Sequence, residues 1–503
     1  MSKSHLSRRQ FMNRSLAAAG VVGGFAIGGT KSSGRVLGAN DTVRLAVAGL
    51  NGRGGSHVDE FGRMKPGVEI THLVDPDTRT FKKRLDQIQS SGGRAPTTVQ
   101  DIRRVLEDKS VDAISVATPN HWHALITIWA CQAGKDVYVE KPCSHNVHEG
   151  RIAVEAARRY NRIVQHGTQS RSSREWALAA AAIQSGKLGK LYVSRALCYK
   201  TRDSIGLKPT TTPPEALDFD IWLGPAARQP YHANLVHYNW HWFWDFGNGD
   251  IGNQGVHQMD IARWLIPAAS SGGHSNSATF PKSVLSLGGR FGYRDQGETA
   301  NTQISVMDYG DTQLIFEVRG LKTKDFQGQR VGNIAHLEAG MITEVRANRK
   351  TEVKFYPKGD TEAVPLASLV KVEAERGPGR GHFGNFIAAV RSRKVEDLNA
   401  DILEGHYSAA LCHLANISYR LGQEVPFNKP TRAFGDDKEA YETLGRMDEH
   451  LKDNGVALDG LNYRLGRKLT FDAAAESFAG DSEANQLLTR PYRAPFVVPD
   501  RIT

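Results

Sequence analysis

Cysteine is scarce, with four residues in 503, at positions 131, 143, 198 and 412, and no CxxC pair. That spacing supports neither a disulfide framework nor a thiolate metal centre, and no metal is expected. Cys143 reads as a small apolar residue, because no pattern around it marks an activated thiol. A large excess of one charge is also missing once the first residues are set aside. The formal net charge is +10, and Lys3, Arg8, Arg9, Arg14, Lys31 and Arg35 supply six of it without an acidic residue before position 40. The remaining +4 is too small to argue for nucleic acid or a membrane surface as partner. Lys82-Lys83-Arg84 and Arg103-Arg104 read as solvated helix faces. Long apolar runs are absent too. The run from Leu16 to Gly29 is too short and too rich in glycine for a membrane span. No internal repeat is present.

What remains is a soluble, globular composition, 40% apolar and 23% charged. A chain of 503 residues exceeds one ordinary core, so two domains are expected. Residues 1–39 look like a targeting segment: Ser7-Arg8-Arg9-Gln10-Phe11-Met12 resembles the twin-arginine export motif, and Leu37-Gly38-Ala39 offers small residues for cleavage. Export to the periplasm is the expectation, with no stable membrane span after signal removal. This route carries folded proteins.

Val43 to Ala48 forms a first strand that runs into Gly49-Leu50-Asn51-Gly52-Arg53-Gly54-Gly55. A glycine-rich turn between strand and helix brings backbone amides and a helix N-terminus to a pyrophosphate. Asn51 stands where the middle glycine of GxGxxG falls, and asparagine tolerates positive φ better than most residues. A second strand, Val68 to Val74, ends at Asp75, an acidic residue placed to accept ribose hydroxyls and repel a 2′-phosphate. NAD is therefore the expected cofactor. Nearby Arg79 keeps NADP open, and Asp75 also suits a helix cap.

The stretch from Asp112 to Pro142 organises the chain. An apolar strand from Ala113 to Ala117 leads through Thr118-Pro119-Asn120 into a helix over His121 to Ala133, stopped by Gly134. A short strand, Val137 to Val139, then delivers Glu140-Lys141-Pro142 at its carboxyl end, the edge where open α/β sheets bind ligands. The succession TPN-x-x-H, A-x-x-GK and EKP resembles the glucose–fructose oxidoreductase, inositol dehydrogenase and rhizopine catabolism (Gfo/Idh/MocA) family. A second signature agrees. Asn253-Gln254-Gly255-Val256-His257-Gln258-Met259-Asp260 resembles the family's D-x-G-x-H-x-x-D, with Asn253 in place of the first aspartate. The resemblance is strong over residues 41–265 and thinner beyond.

The resemblance implies an α/β Rossmann domain plus an α+β domain with an open, mainly antiparallel sheet. The expected division is a signal over 1–39, an NAD(P)-binding Rossmann domain over 40–166, a substrate domain over 167–430 and a C-terminal extension or wrapping arm over 431–503. Pro491, Pro495 and Pro499 suggest that this arm is extended. Helices are expected over 173–185, 382–391 and 402–421, and antiparallel strands over 284–287, 300–307 and 313–318. The implied activity is NAD(P)-dependent oxidation of a sugar, polyol or related carbohydrate hydroxyl by a homo-oligomer, dimer or tetramer. Lys141 and His257 are the expected catalytic pair, His257 taking the hydroxyl proton and Lys141 bonding the reacting oxygen. Gly49, Asn51, Gly52, Arg53, Gly54, Asp75, Thr118, Pro119, Asn120, His123, Glu140 and Lys141 would hold the cofactor. Arg171, Asn253 and, from the aromatic stretch Tyr238 to Trp244, Asn239, Trp240 and His241 are candidates for substrate contact. Asp260, one turn beyond His257, would orient its ring or serve a structural contact. Export away from free NAD leaves two further readings. One is a redox-neutral glycosidase, lyase or epimerase that works through a transient keto-sugar. The other is a carbohydrate-binding protein without turnover, against which the retained Lys141 and His257 argue.

Overall fold

The computed structural model describes residues 41–267, 279–347, 350–372, 377 and 379–503. The expected twin-arginine segment lies outside the described residues.

Six strands form one parallel sheet: β1 (Val43–Ala48), β2 (Val68–Val74), β3 (Thr97–Val99), β4 (Ala113–Val116), β5 (Asp136–Val139) and β6 (Val164–His166). Their order is β3-β2-β1-β4-β5-β6, a doubly wound Rossmann arrangement. The central strands β4 and β5 are buried throughout, as the apolar runs require. Five helices connect or flank them: α1 (Gly54–Gly62), α2 (Phe81–Ser90), α3 (Arg103–Glu107), α4 (Asn120–Gln132) and α5 (Val147–Arg159). Twelve of the thirteen residues of α4 are buried, which explains its weak amphipathicity, and Gly134 at φ +75° ends it.

Helix α6 (Arg174–Gln184) and strand β7 (Leu191–Cys198) open the second part of the chain. Strand β7 is the centre of a large open sheet. It pairs parallel with β10 (Gln313–Arg319) and antiparallel with β11 (Val331–Leu337). Beyond β10 follow β9 (Thr302–Asp308) and β8 (Ser283–Gly289); beyond β11 follow β12 (Gly340–Ala347) and β13 (Lys350–Pro357), all antiparallel. The expected mainly antiparallel sheet is therefore present, and strands β11 to β13 extend it past the expected set.

Two elements of this half rest on the nucleotide-binding half. Helix α10 (Gly381–Ser392) stacks Phe383 on Tyr138 of β5, with ring centroids 4.6 Å apart. Helix α11 (Ile402–Arg420), capped by Asp401, lies at the junction, where Ser144 meets His413 at 3.3 Å. Between β7 and the helical turn α8 (Gly249–Gly252) the chain makes a long excursion that carries the short helix α7 (Phe219–Leu223). Helix α9 (Gly255–Leu265) follows at once. Far along the sequence, α12 (Lys438–Asp453) covers the sheet near β7 and β10, where Glu317 accepts from Arg319 at 2.8 Å, Arg446 at 2.9 Å and the Tyr199 hydroxyl at 2.7 Å. The proline-bearing tail folds back on the chain's own Rossmann domain. Its Phe496 ring lies 5.3 Å from Trp122 and 6.3 Å from Trp129 of α4.

Candidate active site

A cleft of about 400 Å³ runs along the carboxyl edge of the parallel sheet, between the two halves. Gly49, Asn51, Gly52, Arg53, Asp75, Thr118, Pro119, Asn120, His123, Glu140 and Lys141 line it, together with Trp240, His241, Asn253 and His257. Gly54 lies just beneath, and Arg171 and Asn239 do not reach the cleft.

The glycine turn explains itself sterically. Gly49 has φ +84°, and a Cβ there would stand 2.4 Å from the Ala117 carbonyl oxygen. A Cβ on Gly54 would stand 1.8 Å from the Gly49 oxygen, so α1 starts as close to β1 as a backbone allows. Around Gly52 nothing lies within 4 Å of such a Cβ, and this open face borders the cleft. Asn51 does not adopt positive φ, so the turn tolerates it for a different reason from the one expected: the left-handed position is Gly49. Arg84 braces the turn from α2, donating from Nε to the Leu50 oxygen at 2.8 Å and from a terminal nitrogen to the Asn51 oxygen at 3.1 Å. This corrects the reading of Lys82-Lys83-Arg84 as a solvated face: Arg84 is buried. A run of three cations hides the one that points inward.

Asp75 accepts the Leu50 amide at 2.8 Å and the Asp77 amide at 2.9 Å, and burial pushes its carboxyl above the usual range. Arg79 is engaged bidentately by Asp77 and does not line the cleft. The Asp75 carboxylate, with the nearby arginine occupied by Asp77, disfavours a 2′-phosphate at this end. Thr118 Oγ1 is buried without a partner at the cleft wall. The open face of the turn, the orphaned hydroxyl and the Asp75 edge fit an NAD molecule.

Glu140 is a knot at the end of β5. It accepts from Arg53 at 2.8 Å, from His57 at 3.2 Å and from Gln169 at 3.2 Å, and although burial opposes its charge, His57 and Arg53 hold its carboxyl well below the usual range. His123 places its two ring nitrogens 2.6 Å from the Pro142 oxygen and 2.8 Å from the Thr118 oxygen, joining the EKP turn to the start of α4. Asn120 donates to Asn248 at 3.0 Å, a bond across the two halves.

Lys141 donates from Nζ to the Asn253 backbone oxygen at 2.9 Å and to its side-chain oxygen at 3.3 Å. Burial lowers its pKa from the ordinary lysine value. His257 lines the same part of the cleft on α9. Burial first, and the Lys141 charge second, bring its pKa to about 3, so the ring is neutral at physiological pH. His241, stacked on Trp240 at 3.6 Å between centroids, is also held to about 3 by burial. Asp260 does not meet His257. It accepts from Arg171 at 2.8 and 3.0 Å and from Ser408 at 2.6 Å, so Asp260 and Arg171 form a buried support beneath α9. Asn239 bonds Asn234 at 3.3 Å. Burial pushes the Cys143 thiol up to about 12, in keeping with its structural reading.

Sequence reasoning found only the aromatic end of the roof. Residues 201–246 cross the Rossmann edge as a strap, with Ile221, Trp222, His237 and Tyr238 facing the cleft. Thr78 donates its amide to the Ala216 oxygen at 3.0 Å, Asp218 to the Pro76 oxygen at 2.9 Å, and His237 meets Asp77 at 2.9 Å. The tail pins the strap from outside, with Arg493 donating to the Gly224 oxygen at 3.0 Å and to the Asp220 carboxylate at 2.8 Å. The sequence showed a loop-like composition over 201–219 and an aromatic candidate platform over Tyr238 to Trp244, but not that the segment spans the Rossmann edge.

Residues 43–168 match the family model for the oxidoreductase family, NAD-binding Rossmann fold, and residues 195–272 match the model for its C-terminal alpha/beta domain. A scyllo-inositol 2-dehydrogenase (NAD(+)) of Bacillus subtilis is 32% identical over 148 residues, 29% of this chain and 42% of that protein. A glycosyl hydrolase family 109 protein of Shewanella baltica is 28% identical over 155 residues, 30% of this chain and 34% of that protein. The alignments thus span less than half the length of these relatives. Among solved structures, the WlbA dehydrogenase of Bordetella pertussis, in complex with NADH and UDP-GlcNAcA, shares the fold with a TM-score of 0.54 at 18% identity, over 76% of this chain and 97% of that one. A levoglucosan dehydrogenase in complex with NADH and levoglucosan gives 0.53 at 17% identity, over 75% and 96%.

Proposed function

We propose that this chain, a member of the Gfo/Idh/MocA oxidoreductase family, oxidises a hydroxyl of a sugar, polyol or related carbohydrate with NAD. The observation that carries the reading is the placement of Lys141 and His257 in one cleft, beside the glycine turn and below Trp240 and His241. Bound NAD supplies the hydride acceptor. His257 takes the hydroxyl proton, a step that burial and the Lys141 charge oppose in the free cleft, and Lys141, anchored on Asn253, donates to the oxygen as negative charge develops there. The stacked Trp240 and His241 offer an apolar face to sugar C–H groups. Absorbance of NADH over a panel of sugars and polyols tests the reading. Lys141→Ala and His257→Ala should keep nucleotide and lose most turnover; near wild-type rates in either variant would remove that residue from the mechanism.

A redox-neutral second reading draws support from the strap, which covers the nucleotide end, and from the likeness to a glycosyl hydrolase family 109 protein. An enzyme that keeps its cofactor and regenerates it in each turnover would convert a glycoside with no lasting absorbance change. It would also release near-stoichiometric NAD or NADH on denaturation after purification without added nucleotide. Residues 1–39 would direct the protein to the periplasm by the twin-arginine route. Cell fractionation of wild type and of an Arg8→Lys, Arg9→Lys variant tests this, and an unchanged distribution would refute it. We further read the working form as a homo-oligomer, dimer or tetramer, to be measured by light scattering.

A further inference from the structure

The substrate half of the cleft carries an unbalanced charge. Asn253 and Gln254, consecutive residues at the start of α9, each hold one lysine through a neutral amide. Lys141 donates to Asn253 at 2.9 and 3.3 Å, and Lys200, two residues beyond β7, donates to the Gln254 side-chain oxygen at 3.3 Å. Both lysines line the cleft; Lys200 disfavours the charge on Lys141, while Glu140 and, more weakly, Asp250 favour it. Among the described residues no carboxylate accepts a hydrogen bond from either lysine. Asp250 is buried and bidentate to Arg202, at 2.6 and 2.9 Å. Only Asp75 and Glu140 among the lining residues are acidic; Asp75 is held by backbone amides at the nucleotide end, and Glu140 by Arg53 and His57. The amino end of α9 adds the positive end of a helix dipole beside both amides.

Resting on the oxidoreductase reading above, we infer that the substrate is an anionic carbohydrate, whose carboxylate or sulfate ester is bound by Lys200 while its reacting hydroxyl lies at Lys141 and His257. Lys141 is buried and Lys200 is exposed at the mouth, so a neutral sugar would leave the outer cation without an anionic partner. An anionic group next to Lys200 supplies that partner and gains a charge-assisted hydrogen bond. Tyr238, whose hydroxyl accepts from Arg202 at 3.0 Å, is half exposed at the same mouth and closes one side of the seat.

The test uses the NAD-loaded full chain and three matched probes: a methyl hexopyranoside, its uronate and its 6-sulfate. Turnover is followed by NADH absorbance and product chromatography, and binding by calorimetry. The wild type should prefer one of the anionic probes over the neutral one by about tenfold or more, the size of one charge-assisted hydrogen bond. Whichever anion is preferred identifies the group. Lys200→Gln should bring the ratio close to one and Lys200→Arg should restore it. Equal treatment of neutral and anionic probes, or a ratio that Lys200→Gln leaves unchanged, overturns the inference while oxidation itself still stands. Binding of an anion that depends on Lys200, with no turnover of any probe, supports the inference and removes the oxidoreductase reading instead. Loss of NAD affinity rather than of anion preference in Lys200→Gln would assign the lysine to the cofactor and refute the proposal.

Discussion

Asn253→Asp places a carboxylate where a neutral amide now faces Lys141. The side-chain oxygen is 3.3 Å from Nζ, and the same ammonium also donates to the Asn253 backbone at 2.9 Å, so the lysine is already anchored and the substitution needs no rearrangement. In the native chain burial lowers the Lys141 pKa below 10.5, with Glu140 opposing that effect. An opposite charge at hydrogen-bond distance favours the protonated lysine, so its midpoint should rise by about one to three pH units. Asn253 is itself buried, at 8% exposure, and the new acid resists ionisation for that reason; the ammonium beside it is what keeps it charged. Two assays read the outcome. The rate of Lys141 acetylation by a small acylating reagent, followed by peptide mass spectrometry from neutral to strongly alkaline pH, gives the midpoint without reference to turnover. The alkaline limb of kcat/KM should move in the same direction. An unchanged labelling midpoint would mean that the new acid stays protonated. The electrostatic coupling of Lys141 to Asn253 would then be refuted.

Gly54→Ala should lose NAD binding and stability together, because a Cβ 1.8 Å from the Gly49 oxygen must move to an ordinary contact of at least 3.4 Å and so displaces the start of α1; calorimetry with NAD and thermal melts check it. Gly52→Ala, with nothing within 4 Å, should fold with stability within about 0.5 kcal/mol of wild type. Arg493→Ala removes the outer ties of the strap, and release of bound nucleotide, timed by fluorescence, should accelerate by about tenfold. An unchanged rate would show that the strap does not govern release. Stability should fall in mild acid. His121, His166 and His413 are buried with pKa values of about 3 against 6.5 for a free ring, so the unfolded chain binds protons that the fold excludes. Their contribution is complete above 6.5 and declines toward 3, by about 1.4 kcal/mol per pH unit for each ring. A melting temperature that stays level as pH drops well below 6.5 would contradict that burial.

Local patterns revealed the parts of this fold that are built locally. Strand β1 and its glycine turn, the buried run of β4 and the stop at Gly134 each announce themselves within a few residues. Strand β11 escaped because Gly332, Asn333 and His336 dilute its apolar pattern, although most of the strand is buried. The strap escaped for a different reason, since Thr78 and Ala216, which tie it down, lie 138 residues apart. Arg171 shows the limit most plainly. Nothing in its neighbourhood marks it as buried, because the partners that permit burial, Asp260 and Glu404, arrive from helices much later in the chain.

Those same buried charges separate durability from accuracy. Removing Arg171 alone would take away the bidentate partner of Asp260, whereas replacing the whole set, Arg171, Asp260, Arg263 and Glu404, with apolar side chains of matching shape commonly leaves a protein as stable or more so. Ion pairs with fixed directions also set the register of α9, and His257 rides on that helix. A greasy replacement would let the helix settle wherever packing is best. Selection for heat resistance at these four positions would then yield a sturdier molecule that aims its histidine less well.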